Sequence, residues 1–441
     1  MTKQLKQMEN KINIMRLGFA VTLLILTVSL SAQETDLSLS DAIQRTLSNN
    51  YGIIIGRADT DIAGISNNWG AAGRYPSIGF DASSNNSYDI GRGDNSLSNR
   101  LTAGLGLNWT IFDGFRVQLT KGKLGQLEDL AQGRLGVVIE NAIEDVILQY
   151  YFVLLQKERL VVMEKLLNLS EDRLRYVQTQ KDLGSTVTYV LLQSKNNALN
   201  DKAEFLNQEV VVRNAVRNLN FMMGEDPAAT WNFIDDFAHQ PQEYSIGDLL
   251  DKVMSNNKTL QNQFIQLKLE QTQTKLTQGD YMPSLSLSTG ASNQFNSLKA
   301  GSTDAITSGK LNTYGNLALS YDIYTGGNRK RAMEIARINE EIALTETEQM
   351  KHSITNLLMN ELDAYNVRKV MLQVTEESLE AAELNLSIAE EKLKSGVINS
   401  FNYRDIQMIY LNSALNRLSA IYNLIDSNTI LTRLTGGFVN E

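Results

Sequence analysis

The sequence predicts a mixed α and β membrane protein, in which long coiled-coil helical hairpins carry four membrane-crossing strands per chain. Three observations predict this class: the chain is two copies of one unit, each copy contains a six-position heptad run, and each contains two segments of apolar/polar alternation.

The duplication sets the organisation. "DAIQRTLSNN" at Asp41–Asn50 matches "DLLDKVMSNN" at Asp248–Asn257, an offset of 207 that also aligns "YPSIGF" from Tyr75 with "MPSLSL" from Met282. Beyond the first strand the offset becomes 212, aligning Leu105, Leu107, Ile111 and Gly114 with Leu317, Leu319, Ile323 and Gly326, then Gly184 with Gly396 and Gly224 with Gly436. The expected segments are a signal peptide at 1–32, a first repeat at 33–226, an inter-repeat linker at 227–244 and a second repeat at 245–441. The signal peptide is read from Lys3, Lys6, Lys11 and Arg16, followed by the apolar run Phe19–Leu30 and small residues at Ser31 and Ala32. That run is too short for a spanning helix, which needs about 20 residues. Removing 1–32, with four basic residues and one acidic, takes the net charge from −9 to −12. Such an acidic product disfavours nucleic acid as a partner. There are no cysteines, which excludes disulfides, thiolate metal sites and a lipidated cysteine, and the two histidines, His239 and His352, argue against a multi-histidine centre.

Each repeat reads helix, strand, strand, long helix, turn, helix. Pro76 and Pro283 stand at equivalent points where a helical pattern stops and alternation starts. The first heptad run is Ile139, Val146, Val153, Leu160, Leu167 and Leu174; the second is Leu358, Tyr365, Leu372, Leu379, Leu386 and Leu393. A helix from about Phe115 to Lys181 is roughly 100 Å long at about 1.5 Å per residue. The turns "KDLGSTVTYV" and "LKSGVINSFN" each supply a glycine for a helix C-terminus, with Thr188 or Ser400 expected as N-cap of the return helix.

The alternating segments begin at Ser77, Leu101, Ser284 and Asn312, the last continuing to Tyr324. In "LTAGLGLNWTIF", Leu101, Ala103, Leu105, Leu107, Trp109 and Ile111 share one face, and Thr102, Gly104, Gly106 and Asn108 the other. Lengths of 9 to 13 residues suit tilted strands crossing a bilayer. Leu101, Leu105, Leu107, Trp109 and Ile111 are therefore the expected lipid-facing residues. Trp109, Phe112, Tyr321 and Tyr324 suit a girdle at one interface. Four strands cannot close a barrel, and an open edge in lipid leaves backbone groups unsatisfied at several kcal/mol each. Two chains give eight strands and three give twelve.

The signal peptide, the duplicated unit, Pro76 and Pro283, "DGF" and "TGG" after the strands, and the glycine-containing tips together resemble the TolC-like outer membrane efflux proteins across about residues 37–437. The resemblance implies a homotrimer with a twelve-stranded barrel in outer membrane lipid, continuous with an α-helical tunnel in the periplasm, and the 227–244 linker at its equator. It also implies an inner membrane pump and a periplasmic adaptor (membrane fusion) protein that meets the helical tips at Leu183, Gly184, Ser185 and Thr188 and at Ser395, Gly396, Val397 and Ser400. Aligned on Gly396, Asn402 and Asp405 fall at the two positions of the periplasmic constriction. An amide thus replaces one carboxylate, Ile398 stands in place of a basic latch residue, and Val190 in place of an acid at the first tip. The bland alternative for Asp405 is a solvated helix residue.

Enzymatic constellations are weak. Asp235 with Asp236, and Glu390 with Glu391, are adjacent and diverge on any regular backbone. "GRGDNS" from Gly91 reads as a polar loop, and "GLGLNWTIF" lacks the strand-to-helix context of a phosphate loop. No catalytic, metal or cofactor-binding residues are assigned. The reading is a passive efflux conduit; type I protein secretion and a soluble periplasmic coiled-coil scaffold are the competing readings.

Overall fold

The computed structural model describes residues 35–91 and 95–438. The signal-peptide segment and the Arg92–Asp94 triplet lie outside the described residues. In chain order the elements are β1 (Thr35–Leu37), α1 (Leu39–Asn49), α2 (Tyr51–Ser66), β2 (Ser77–Asp89), β3 (Ser96–Asp113), α3 (Arg116–Asp182), α4 (Thr188–Met223) and β4 (Trp231–Phe233). They continue as α5 (Ile246–Asn256), α6 (Lys258–Gly279), β5 (Ser284–Ala300), β6 (Ile306–Ser320), α7 (Asn328–Lys394) and α8 (Ser400–Leu434).

Two compact units are present, and each draws on both sequence repeats. The first comprises residues up to Asn50, Ile143–Gln242 and Tyr365–Thr429; the second comprises Tyr51–Ala142, Glu243–Ala364 and the residues from Ile430.

In the second unit, β2, β3, β5 and β6 form one antiparallel sheet in that order. Its register sorts the side chains. Phe80, Leu105 and Ala291 stand in one row, and Ile78 and Leu107 in the next. Leu287 pairs with both Trp109 and Leu317, so all these residues share one face. The opposite face carries rows such as Ser83–Thr102–Gln294–Lys310 and Asp81–Gly104–Ser292–Asn312. Gly104 is required by close strand approach, since a Cβ there would lie 2.8 Å from that of Ser292. Gly290 and Gly106 make room for the Tyr314 ring, whose Oη would lie 2.8 Å and 3.3 Å from their added Cβ atoms.

Two strand details differ from the sequence pattern. The β3–β5 register shifts between Thr110 and Phe112, so Phe112 pairs with Leu285 and Ile111 falls in a β-bulge. One extra residue in one strand restores the ladder but interrupts period-two alternation. The last strand ends at Ser320 rather than Tyr324, because its partner β5 begins at Ser284, directly after Pro283, which has no N–H to pair.

The duplication recurs in atomic detail within each unit. In the first, Asn50 Nδ2 donates to Met222 O at 2.8 Å, and Gly224, with φ 70°, comes so close to Asn49 that a Cβ would overlap it. In the second, Asn257 Nδ2 donates to Leu434 O at 3.1 Å and Gly436 sits against Asn256 in the same way. The first unit also holds a small core in which Leu37, Val146, Tyr150, Val153, Leu219 and Met223 are buried together.

Candidate functional site

Both hairpin tips lie in the first unit, and both close by the same device. At the end of α3, Ser185 N donates to Gln180 O and Gly184 N to Lys181 O; at the end of α7, Val397 N donates to Lys392 O and Gly396 N to Leu393 O. Gly184 and Gly396 have φ of 72° and 76°, the left-handed cap that favours glycine.

The N-caps differ from expectation. Thr188 and Ser400 are the first helical residues of α4 and α8, and the preceding residues take the cap positions. Val187 caps α4 without a side-chain bond. At α8 the Asn399 side chain accepts from Phe401 N and Asn402 N, both at 3.0 Å. An amide at that position satisfies two orphan donors, which leaves the Ser400 hydroxyl free for another partner.

That partner is Arg173, whose Nε donates to Ser400 Oγ at 2.6 Å. One turn along α8, Arg404 reaches Asp201 on α4 through both terminal nitrogens at 2.7 Å, and its Nη1 also contacts Ser170 Oγ on α3 at 3.0 Å. Ser170 in turn donates to Asp201. The result is a buried polar network joining three helices, with Asp201 only 6% exposed and Arg173 only 3%. Among the described residues Arg404 alone pairs with the carboxylate, and Arg173 Nη1 is buried without a hydrogen-bond partner. Burial, followed by the Arg404 charge, pushes the Arg173 guanidinium down to about 10, against the pull of Asp201 and Asp405.

Sequence reasoning missed this network because it lies in the coiled-coil seam. In α3 the buried positions near the tip are Leu166, Ser170, Arg173 and Val177, not the Leu167 and Leu174 that continue the apolar heptad. Buried residues of α4 include Ser194, Asp201, Gln208 and Ala215, seven apart; those of α8 include Ser400, Tyr403, Gln407 and Tyr410. Counting only apolar residues passes over a polar seam. The available signal was Ser194, Asp201 and Gln208 at heptad spacing opposite Leu192, Leu199 and Leu206.

Asn402 and Asp405 are both exposed and three residues apart, so they share the α8 face turned away from Tyr403, Arg404 and Gln407. Ile398 is partly buried against the cluster of Leu386, Leu393 and Tyr403. Tyr189 and Phe401, in the first turns of the two return helices, stack at 6.3 Å between centroids. Leu183, Gly184, Ser185, Thr188, Ser395, Gly396 and Val397 are exposed, whereas Ser400 is buried.

The carboxylate pairs have structural partners. Asp235 Oδ2 accepts from Leu39 N at 2.7 Å and from the Tyr150 hydroxyl at 2.6 Å, and Glu390 pairs with Lys394 at 2.7 Å. Among the described residues no helix is long and apolar enough to cross a membrane, and no cluster of three His, Cys, Asp or Glu side chains could hold a metal.

The second unit thus carries a strand sheet with segregated faces, and the first carries two helical hairpin tips that are mostly exposed. Comparison with solved structures shows the fold: the chain superimposes on CusC with a TM-score of 0.74 at 15% identity, covering 92% of this chain and 93% of that one. For the CmeC outer membrane channel of Campylobacter jejuni the TM-score is 0.73 at 14% identity, covering 90% and 85%. The sequence profile of the outer membrane efflux proteins matches residues 42–225 and 249–437, and the chain belongs to that family. It is also 21% identical over 418 residues to the probable outer membrane lipoprotein SilC of Salmonella typhimurium, covering 92% of this chain and 87% of that protein. This is a family of outer membrane channels serving efflux, not of enzymes.

Proposed function

We propose that three copies of this chain form a passive outer membrane conduit, driven by an inner membrane pump and joined to it by a periplasmic adaptor protein at the helical tips. The observation that carries this reading is the four-stranded sheet, whose two outer strands β2 and β6 pair with nothing else among the described residues. One of its faces is apolar: Phe80, Leu105 and Leu317 are 68%, 58% and 65% exposed in the single chain. Three sheets joined edge to edge make twelve antiparallel strands, satisfy the edges and enclose a lumen lined by the polar face. Leu101, Leu105, Leu107 and Trp109 then meet lipid.

Helix α4 supports the multiplicity independently. Its amphipathicity is inverted in the single chain, with Asp201 and Gln208 buried and Leu192, Leu199 and Leu206 exposed. Covering each leucine with a neighbouring copy contributes about 1.5–3 kcal/mol. Three Asp405 carboxylates and three Asn402 amides then narrow the periplasmic entrance.

The test is outer membrane fractionation, electrophoresis for a heat-resistant trimer and conductance in planar bilayers. Recovery as a soluble periplasmic monomer would end this reading.

A further inference from the structure

The turn at residues 67–76 leads from α2 into β2. Arg74 N donates to Trp69 O at 3.0 Å, which lays the Arg74 guanidinium over the Trp69 ring at 4.6 Å from its centroid. Trp109 of β3 donates its indole N–H to Arg74 O at 3.0 Å. Two of the three tryptophans of the chain therefore line one cleft of about 330 Å³, together with Arg74, Phe112 and Gln118.

The cleft lies where the apolar face of the sheet gives way to charged helix. Trp109 stands on the face of Leu105 and Leu107, and the β-bulge at Ile111 follows it. Immediately beyond, Phe115 is the one non-glycine residue among those described with positive φ, 68°. That conformation is strained for an aromatic residue. It holds the Phe115 ring 57% exposed, edge-on to Phe112 at 5.3 Å. Partly and fully exposed aromatic rings beside a guanidinium that makes no ion pair are thus collected at one level of the sheet. Arg74 takes part in no ion pair among the described residues. The cleft's carboxylate, Asp113, is turned to the start of α3, where it accepts from Val117 N.

We propose that this cleft binds the phosphodiester headgroup of a glycerophospholipid whose acyl chains lie on the apolar face above it. The proposal rests on that face meeting lipid. A guanidinium matches phosphate oxygens through paired N–H groups, and indole rings settle at headgroup depth. One exposed guanidinium binds free phosphate weakly in water, so the affinity depends on acyl-chain burial against Leu105, Leu107 and their neighbours.

The test uses the full-length protein extracted in mild detergent. Bound phospholipid is counted by native mass spectrometry in the wild type, Arg74→Gln and Trp109→Phe, and each is floated with phosphatidylethanolamine/phosphatidylglycerol vesicles. The wild type is expected to retain about one phospholipid per chain and Arg74→Gln about fivefold less, while both float. Equal retention with both floating overturns the cleft and leaves the lipid-facing sheet intact. A wild type that does not float overturns both. Inorganic phosphate is added to lipid-free Trp231→Phe, whose remaining tryptophans are those of the cleft. A fluorescence response as large as that to lipid overturns the lipid as occupant. Should Arg74→Gln lose its oligomer, Trp109→Phe, which removes only the indole donor and some ring area, is expected to lower retention in the same direction; unchanged retention there overturns the site.

Discussion

Arg404 holds Asp201 with both terminal nitrogens at 2.7 Å, tying α8 to α4 beside the exposed Asp405. Breaking such a pair from one side leaves an uncompensated buried charge, which costs about 3–5 kcal/mol. Asp201→Asn leaves Arg404 without its carboxylate and removes the nearby negative charge that favours the Arg173 guanidinium. It is expected to lower the thermal midpoint, speed amide exchange in the tip-proximal turns of α4 and α8, and raise single-channel conductance. Wild-type exchange rates there would show that the pair does not hold the two helices together.

Asp405 and Asn402 share one exposed face, so a ring built from three copies gains or loses charge with either residue. Asp405→Ala is expected to weaken block by divalent cations, and Asn402→Asp to strengthen it, both read from conductance at low ionic strength where screening is least. Conductance indifferent to both changes across a range of cations would remove this face from the constriction.

Leu199 lies at the middle of the exposed leucine row of α4 and is 55% exposed in the single chain. Leu199→Arg places a charge where a neighbouring copy is expected to pack, at little cost to the protomer. The heat-resistant oligomer should be lost while the helical circular dichroism signal persists. An oligomer of unchanged heat resistance would move the interface elsewhere.

Glu140 gives a pH dependence. It is 4% exposed, and burial pushes its carboxyl up to about 7 against the opposing pull of Lys258 and Arg433. A folded-state value above the unfolded one means that the folded chain binds the extra proton. Its contribution is therefore fully present below about 4.5 and lost as pH rises through about 7. Glu140→Gln should flatten the thermal midpoint between pH 5 and pH 8. A dependence as steep as in the wild type would assign it to other groups.

The tip glycines have no heavy atom within 4 Å of an added Cβ, so substitution costs only backbone strain. Gly184→Ala and Gly396→Ala are each expected to destabilise by about 1 kcal/mol, measured by chemical denaturation. Because both tips are exposed, the same variants should weaken capture of a periplasmic adaptor, detected by crosslinking. Full crosslinking with a normal fold would move the docking surface away from the turns.

Much of the architecture was legible because its causes are local or periodic. The apolar alternation around Leu105 and Leu317 marks half-buried strands wherever they occur. Gly184 and Gly396 mark helix ends because few other residues tolerate their φ, and Pro76 and Pro283 mark the entries to strands. The heptads ending at Leu393 mark a real seam, since Leu358, Tyr365, Leu372, Leu386 and Leu393 are all buried. These signals depend on nearest neighbours and on helix or strand period, which the chain carries in its order of residues.

What the tertiary structure alone decided depends on residues far apart in sequence. Ile111 falls in a bulge through the register of β3 against β5, and Asn399 rather than Ser400 caps α8 while Arg173, more than 200 positions earlier, takes the serine hydroxyl. Ser170, Arg173, Asp201 and Arg404 look like surface residues one by one; packed together, each satisfies charge or hydrogen bonds that another could not bury alone. The sequence by itself determined which elements form and that their apolar faces need a partner. Only the packing decided which polar groups could leave water, because burying a charge is costly unless another helix presents its counterpart.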